Sequence, residues 1–151
     1  MDNSQIQTVL QLLLAIFLGG LLGLEREFKK KGAGLQTYSL VSLGACIFTI
    51  ISFELFSFFS GAIGISFDPS RVILAVATGI GFIGAGAIIF RESRVEGITT
   101  AAGLWCSASI GVAVGAKLYF LAAIATIFAV LVLFLFGKFE NKYLKETGLF
   151  K

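Results

Sequence analysis

ITTAAGLWCSASIGVAVGAKLYFLAAIATIFAVLVLFLFG, residues 98–137, runs for forty residues with one charged side chain, Lys117. A helix that crosses a bilayer needs about 20 predominantly apolar residues, so this stretch holds two of them. Ala116 and Lys117 are all that separates the pair, which predicts a tight helical hairpin. Working outward from it, three earlier windows meet the same standard. The expected spans lie near 6–24, 36–59, 71–90, 98–115 and 118–137. The predicted class is all-α, a polytopic bundle of five transmembrane helices forming one domain over residues 1–151.

Composition agrees with that solvent. Hydrophobic residues make up 57% of the chain and charged ones only 14%, with 16 Phe and 18 Gly. Soluble domains carry about 25% charged residues, so this surface calls for lipid. The absence of His excludes imidazole metal sites and His general bases. Cys46 and Cys106 sit singly inside apolar runs and read as packing residues, with neither a zinc spacing nor a disulfide framework. The N-terminus lacks a basic leader and a small-residue cleavage site, so it reads as a retained first helix.

Orientation follows from Lys and Arg in the short connections, which tend to stay cytoplasmic. Arg26, Lys29, Lys30 and Lys31 follow the first span, Arg91 and Arg94 the third, and Lys138, Lys142, Lys145 and Lys151 the fifth. The other side holds Arg71 and Lys117. The expectation is N-out, C-in, in a bacterial inner membrane. On this reading the net charge of +3 is topogenic and gives no sign of nucleic-acid binding.

Small residues four apart mark helix contacts in lipid, where close backbone approach replaces a hydrophobic drive. Ala15, Gly19 and Gly23 form such a row, as do Ala77, Gly81 and Ala85. The longest is Gly103, Ser107, Gly111 and Gly115. These rows suit a tight bundle or a homodimer, and spacing alone does not choose between them. Gly79 to Gly84 spells the dinucleotide pattern G-x-G-x-x-G, but it lies inside an apolar span without the strand that pattern requires.

Ionisable residues beside hydrocarbon are candidate sites by default. Glu25, Arg26 and Glu27 close the first span, and Glu54 lies within the second. Asp68 and Arg71 flank the start of the third, where Asp68 as N-cap and Pro69 at the first helical position make a strong start signal. Thr99 and Thr100 open the fourth in a similar way, and Arg91, Glu92, Arg94 and Glu96 charge the loop before it. Mg²⁺ takes oxygen ligands and keeps several waters, so Asp68 with Glu54 is a candidate metal pair if the second and third helices are neighbours. Nothing else suggests a cofactor.

An ordered set of motifs then resembles the MgtC/SapB family of bacterial membrane proteins. They are Gly20-Leu21-Leu22-Gly23-Leu24-Glu25-Arg26-Glu27, Ala33-Gly34-Leu35-Gln36-Thr37-Tyr38 and Asp68-Pro69-Ser70-Arg71. Thr78 to Gly86 and Gly97 to Trp105 complete the set, which spans roughly residues 16–120. The resemblance implies a five-span domain tied to magnesium homeostasis, growth in low magnesium and stress adaptation, including survival of pathogens inside phagocytes. It implies modulation of another membrane machine, the rotary ATP synthase among them, and places the family's polar residues at Glu25, Arg26, Thr37, Asp68, Arg71, Thr99 and Thr100. Where the family commonly has Arg-Thr-His this chain has Gln36-Thr37-Tyr38. Longer members also carry a soluble C-terminal regulatory domain, and the sequence here matches the transmembrane part alone.

The expected function is that of a non-enzymatic modulator, with a Mg²⁺ or other cation transporter as the alternative. No nucleophile–base pair or ligand cluster is legible to support an enzyme.

Overall fold

The computed structural model describes residues 2–60, 67–91 and 94–139. Five helices and one short ribbon follow in order: α1 (Asn3–Phe28), α2 (Leu35–Phe59), α3 (Ser70–Gly86), β1 (Ile89–Arg91), β2 (Arg94–Glu96), α4 (Ile98–Gly115) and α5 (Tyr119–Phe139). The class is the expected all-α bundle. Four helices are long and apolar enough to cross a membrane, and α3, at 17 residues, is shorter. At 1.5 Å per residue it is roughly 25 Å long, close to the hydrocarbon thickness of about 30 Å.

α4 is the axis of the bundle. Ten of its eighteen residues are buried, and it packs against the other four helices. Its row Gly103, Ser107, Gly111 and Gly115 lies along α2. A Cβ on Gly103 would strike the Tyr38 ring, and one on Gly111 would strike the Ser42 carbonyl. One on Gly115 would sit 2.7 Å from both the Cys46 carbonyl and the Thr49 Cβ. The pairs Tyr38–Ser107, Ser42–Gly111 and Cys46–Gly115 advance by four residues on each side, so α2 and α4 run parallel and in register. α1 runs antiparallel to both and uses its own row. A Cβ on Gly19 would lie 2.6 Å from the Ser42 Cβ, and one on Gly23 would lie 2.7 Å from the Leu35 Cα. The rows of α1 and α4 are therefore consumed inside the bundle.

The row expected on α3 behaves differently. Among the described residues a Cβ at Gly81 meets nothing within 4 Å, and the buried residues of this helix are Ile80 and Gly84, the latter facing Ala101. Gly79 is equally open, so the G-x-G-x-x-G spelling is a lipid-side helical surface with one packing glycine.

The third span also ends early. Apolar residues continue from Ala87 to Phe90, which made 71–90 look like one helix, but the helix stops at Gly86 and Ile89–Arg91 pairs antiparallel with Arg94–Glu96. β-branched and aromatic side chains favour that extended ribbon. Gly97 returns the chain to α4 at φ 93, where a Cβ would strike the Ala87 carbonyl. Gly97 thus also displaces Thr99 and Thr100 as the cap of α4, which begins at Ile98.

The expected α4–α5 hairpin is present. Lys117 at φ 63 closes it, its N–H bonding to Val114 and that of Leu118 to Ala113. Lys30 does the same after α1 at φ 51. α1, α3 and α5 therefore run towards one end, where Arg26, Lys29, Lys30, Lys31, Arg94 and Lys138 gather, and α2 and α4 run away from it.

The internal and open glycines should respond oppositely to substitution. Gly111→Leu forces the Ser42 backbone aside and should destabilise by at least the roughly 1–3 kcal/mol of an overpacked core. Gly81→Leu should be neutral. Thermal unfolding of the detergent-solubilised protein, followed by circular dichroism, checks both.

Candidate functional site

The last turn of α1 carries two ionisable residues into the protein. Glu25 is 9% exposed and Arg26 5%. They reach the interior because α1 is pinned there by Gly19 and Gly23, which turn this face of the helix onto α2 and α4. Arg26 Nη2 donates to Thr100 Oγ1 at 2.9 Å, in the first turn of α4. Arg26 Nη1 lies 3.7 Å from Glu25 Oε2. Lys29, one turn on, pairs its ammonium with Glu25 Oε1 and donates to the Leu133 carbonyl of α5 at 3.0 Å. Gly137 leaves room for that ammonium, since a Cβ there would lie 2.5 Å from Nζ.

The network continues into α2. Tyr38, fully buried, donates its hydroxyl to the Thr100 carbonyl at 3.1 Å. Ser107 returns a bond from α4 to the Tyr38 carbonyl at 2.8 Å. One connected set of polar groups thus joins α1, α2, α4 and α5 at the basic end. It carries two cations and one anion. Among the described residues, neither Glu25 oxygen nor Arg26 Nε has a hydrogen-bond partner, so the charge pairing of Glu25 is made without well-aligned bonds. Buried charges held in this way are costly to strip of a partner.

Of the residues expected from sequence, Glu25, Arg26 and Thr100 come together. Thr99 is exposed on α4. Thr37 points away from the cluster and lines an apolar groove between α2 and α3. Asp68 and Arg71 sit at the opposite end, both exposed. There Asp68 does serve as the cap: its Oδ1 accepts from the Ser70 backbone N–H at 2.9 Å and from the Ser70 hydroxyl at 2.7 Å. Pro69 has helical angles, φ −58 and ψ −26.

The Asp68–Glu54 metal pair is not assembled. Ser52 bonds the Pro69 carbonyl at 3.2 Å. Glu54, two residues on, faces about 200° away round the helix and is exposed. No group of three or more Cys, Asp or Glu gathers among the described residues. Glu92 lies outside the described residues, and the exposed Arg94 and Glu96 belong to the ribbon.

Sequence reasoning passed over three contributors. Tyr38 drew notice only as a departure from a family pattern, and Lys29 only as a topogenic charge. Gln11 was missed altogether, although an amide inside an apolar run is a signal in itself. It is buried at the far end of α1 and donates to the Val114 and Gly115 carbonyls at 3.0 and 3.4 Å, at the end of α4, where helix carbonyls run short of intrahelical donors.

The characteristic pattern of the MgtC family matches residues 12–142, from the middle of α1 to beyond α5. The chain belongs to the MgtC family. It is 39% identical over 139 residues to the Escherichia coli K12 protein named "Putative magnesium transporter YhiD", covering 92% of this chain and 65% of that one. It is 46% identical over 119 residues to Protein MgtC of Brucella abortus 2308, covering 78% of this chain and 46% of the relative. To Protein MgtC of Salmonella typhimurium 14028s it is 42% identical over 120 residues, covering 79% and 48%. The chain thus spans about half to two thirds of the length of these MgtC-family relatives. No solved structure matches it. Family membership and four long apolar helices make it a membrane protein.

Two measurements test this geometry. Arg26→Met leaves Glu25 with Lys29 as its cation and removes the donor to Thr100 Oγ1, and should cost about 1–3 kcal/mol in reversible unfolding, with Thr100→Val in the same range. Because the two share one bond, Thr100→Val should cost far less in the Arg26→Met background, a coupling that a double-mutant cycle reads. At the far end, the Ser70 hydroxyl and then its N–H, with Arg71 adding less, hold the Asp68 carboxyl below the usual carboxylate range. Its contribution is present at neutral pH and fades as pH falls through that lowered value. Melting curves of Asp68→Asn across the acid range should show less loss of stability with acid than wild type.

Proposed function

We propose that this protein is a non-enzymatic modulator in the bacterial inner membrane, N-out and C-in, that serves magnesium homeostasis by contact with another membrane complex. The rotary ATP synthase is the partner class the family resemblance brings to it. The orientation draws support from the basic residues that α1, α3 and α5 deliver to one end. Magnesium enters through the name of the Escherichia coli relative.

One observation carries the choice of modulator over carrier. The buried polar groups of the middle of the bundle are hydroxyls, and among the described residues all but that of Ser42 are committed to backbone carbonyls. Ser107 bonds the Tyr38 carbonyl, Thr49 that of Ala45 and Thr126 that of Ala122. Carriers place their ion sites near the midplane, on interrupted helices. Here the ionisable residues that are buried lie at one end, tied across four helices, and among the described residues each of the five helices is continuous. Such a core suits a rigid body that is recognised from outside.

The transport reading, which rests on the relative's name, is separable by experiment. Purified protein in liposomes should move neither Mg²⁺ nor monovalent cations under a gradient, while deletion impairs growth at limiting Mg²⁺ and crosslinking in intact membranes recovers a partner other than a second copy. Protein-dependent flux abolished by Glu25→Ala would reverse the assignment. In the same growth assay Glu25→Ala should behave like the deletion, and Asp68→Ala like wild type.

A further inference from the structure

The groove that receives Thr37 has a volume of about 640 Å³, within the range of small-molecule sites. It exists because α3 packs chiefly on α4 and leaves its α2 side uncovered, with Ile80 and Gly84 as its buried residues. Val41, Gly44 and Phe48 form one wall, Val76, Gly79 and Ile80 the other. Among the described residues, a Cβ added to Gly44 or Gly79 meets nothing within 4 Å. The space is therefore open to whatever surrounds α2 and α3.

The groove is polarised along its length. It begins at Gln36 and Thr37 in the first turn of α2 and is apolar from Leu40 to Phe48. That run, Gln36 to Phe48, covers roughly 18 Å of helix. One leaflet of a bilayer contributes roughly 15 Å of hydrocarbon, half of the ~30 Å core. A membrane-crossing helix would need the full thickness, so the length suits an acyl chain. The polar mouth opens at the basic end of the bundle, which holds exposed Lys30 and Lys31 on the α1–α2 turn and exposed Arg94 on the ribbon after α3, against exposed Glu27 and Glu96. Glu27 is itself engaged, accepting from the Leu35 N–H. Among the described residues that end of the bundle carries a surplus of positive charge, which attracts anionic headgroups.

We propose that the α2–α3 groove is a binding site for an anionic phospholipid, with an acyl chain along Val41–Phe48 and Val76–Ile80 and the phosphate at the Gln36–Thr37 mouth near Lys30, Lys31 and Arg94. The lipid completes the packing of α3 against α2. It makes the stability of that helix, and of the ribbon that follows it, dependent on leaflet composition.

The test uses the full-length protein in a neutral detergent, with phosphatidylglycerol and phosphatidylcholine of matched chains added separately. Phosphatidylglycerol should raise the melting temperature by about 3–6 °C at roughly tenfold excess over its dissociation constant, and phosphatidylcholine by clearly less. Gly79→Leu and Gly44→Leu, which fill the groove without touching the α2–α4 contact, should remove the lipid increment while keeping wild-type helicity. Lys30→Gln with Lys31→Gln should equalise the two lipids. A lipid with a photoreactive acyl chain should label Val76 or Ile80. Equal shifts from both lipids with the wild-type protein would overturn the proposal. So would increments that survive the leucine substitutions, or photocrosslinks from position 79 that capture a second copy or another protein in place of lipid.

Discussion

Helices in a bilayer gain nothing by hiding apolar surface from a solvent that is itself apolar, so they hold together only where their backbones come close. In this MgtC-family protein that constraint is met along one seam. Gly103, Ser107, Gly111 and Gly115 bring α4 down onto Tyr38, Ser42, Cys46 and Thr49 of α2. The parallel register of that pair sets the position of α1, because Gly19 fits over the same Ser42 and lies 2.8 Å, by its would-be Cβ, from the Tyr38 carbonyl. Three helices thus share one contact region. α5 packs on α1 and α4 with Ala122 and Thr126 buried, turning Phe120, Phe128 and Phe136 outward to lipid.

The buried charges depend on this seam. Arg26 meets Thr100 only because α1 and α4 are held at small-residue distance, and Tyr38 reaches the Thr100 carbonyl only because Gly103 leaves space for its ring. A cluster of this kind adds little net stability against an apolar replacement, but it penalises any shift in register, since each slip strands a buried charge. Packing therefore supplies the cohesion and the Glu25–Arg26–Lys29 cluster supplies the specificity. Lys29 extends that specificity to α5 through the Leu133 carbonyl and the notch at Gly137.

α3 stands apart from this rigid set. With two buried residues and an open groove on its α2 side, it has the few internal contacts that accompany low local stability. The ribbon after it is two three-residue strands, a unit that is marginal alone. A protein with a locked four-helix core and one loosely seated helix has a natural place for lipid or partner to act.

The sequence by itself determined the solvent, the number of helices and most of their limits. Hydropathy is a local property, read from runs such as 118–137 without knowing what they touch. The start at Asp68-Pro69 and the hairpin at Lys117 were legible for the same reason, since caps and tight turns are made within a few residues. Tertiary structure alone decided which rows of small residues face inward. Gly81 and Gly111 look alike in a sequence, and only the neighbour opposite each one makes the first open and the second indispensable. It also decided that Thr100, Tyr38 and Lys29 join Glu25 and Arg26, that Glu54 turns away from Asp68, and that Ile89 and Phe90 leave the third helix for a ribbon. In lipid both faces of a helix are apolar, so the pattern that marks inside from outside in water is missing, and the pairing of faces is written only in the contacts themselves.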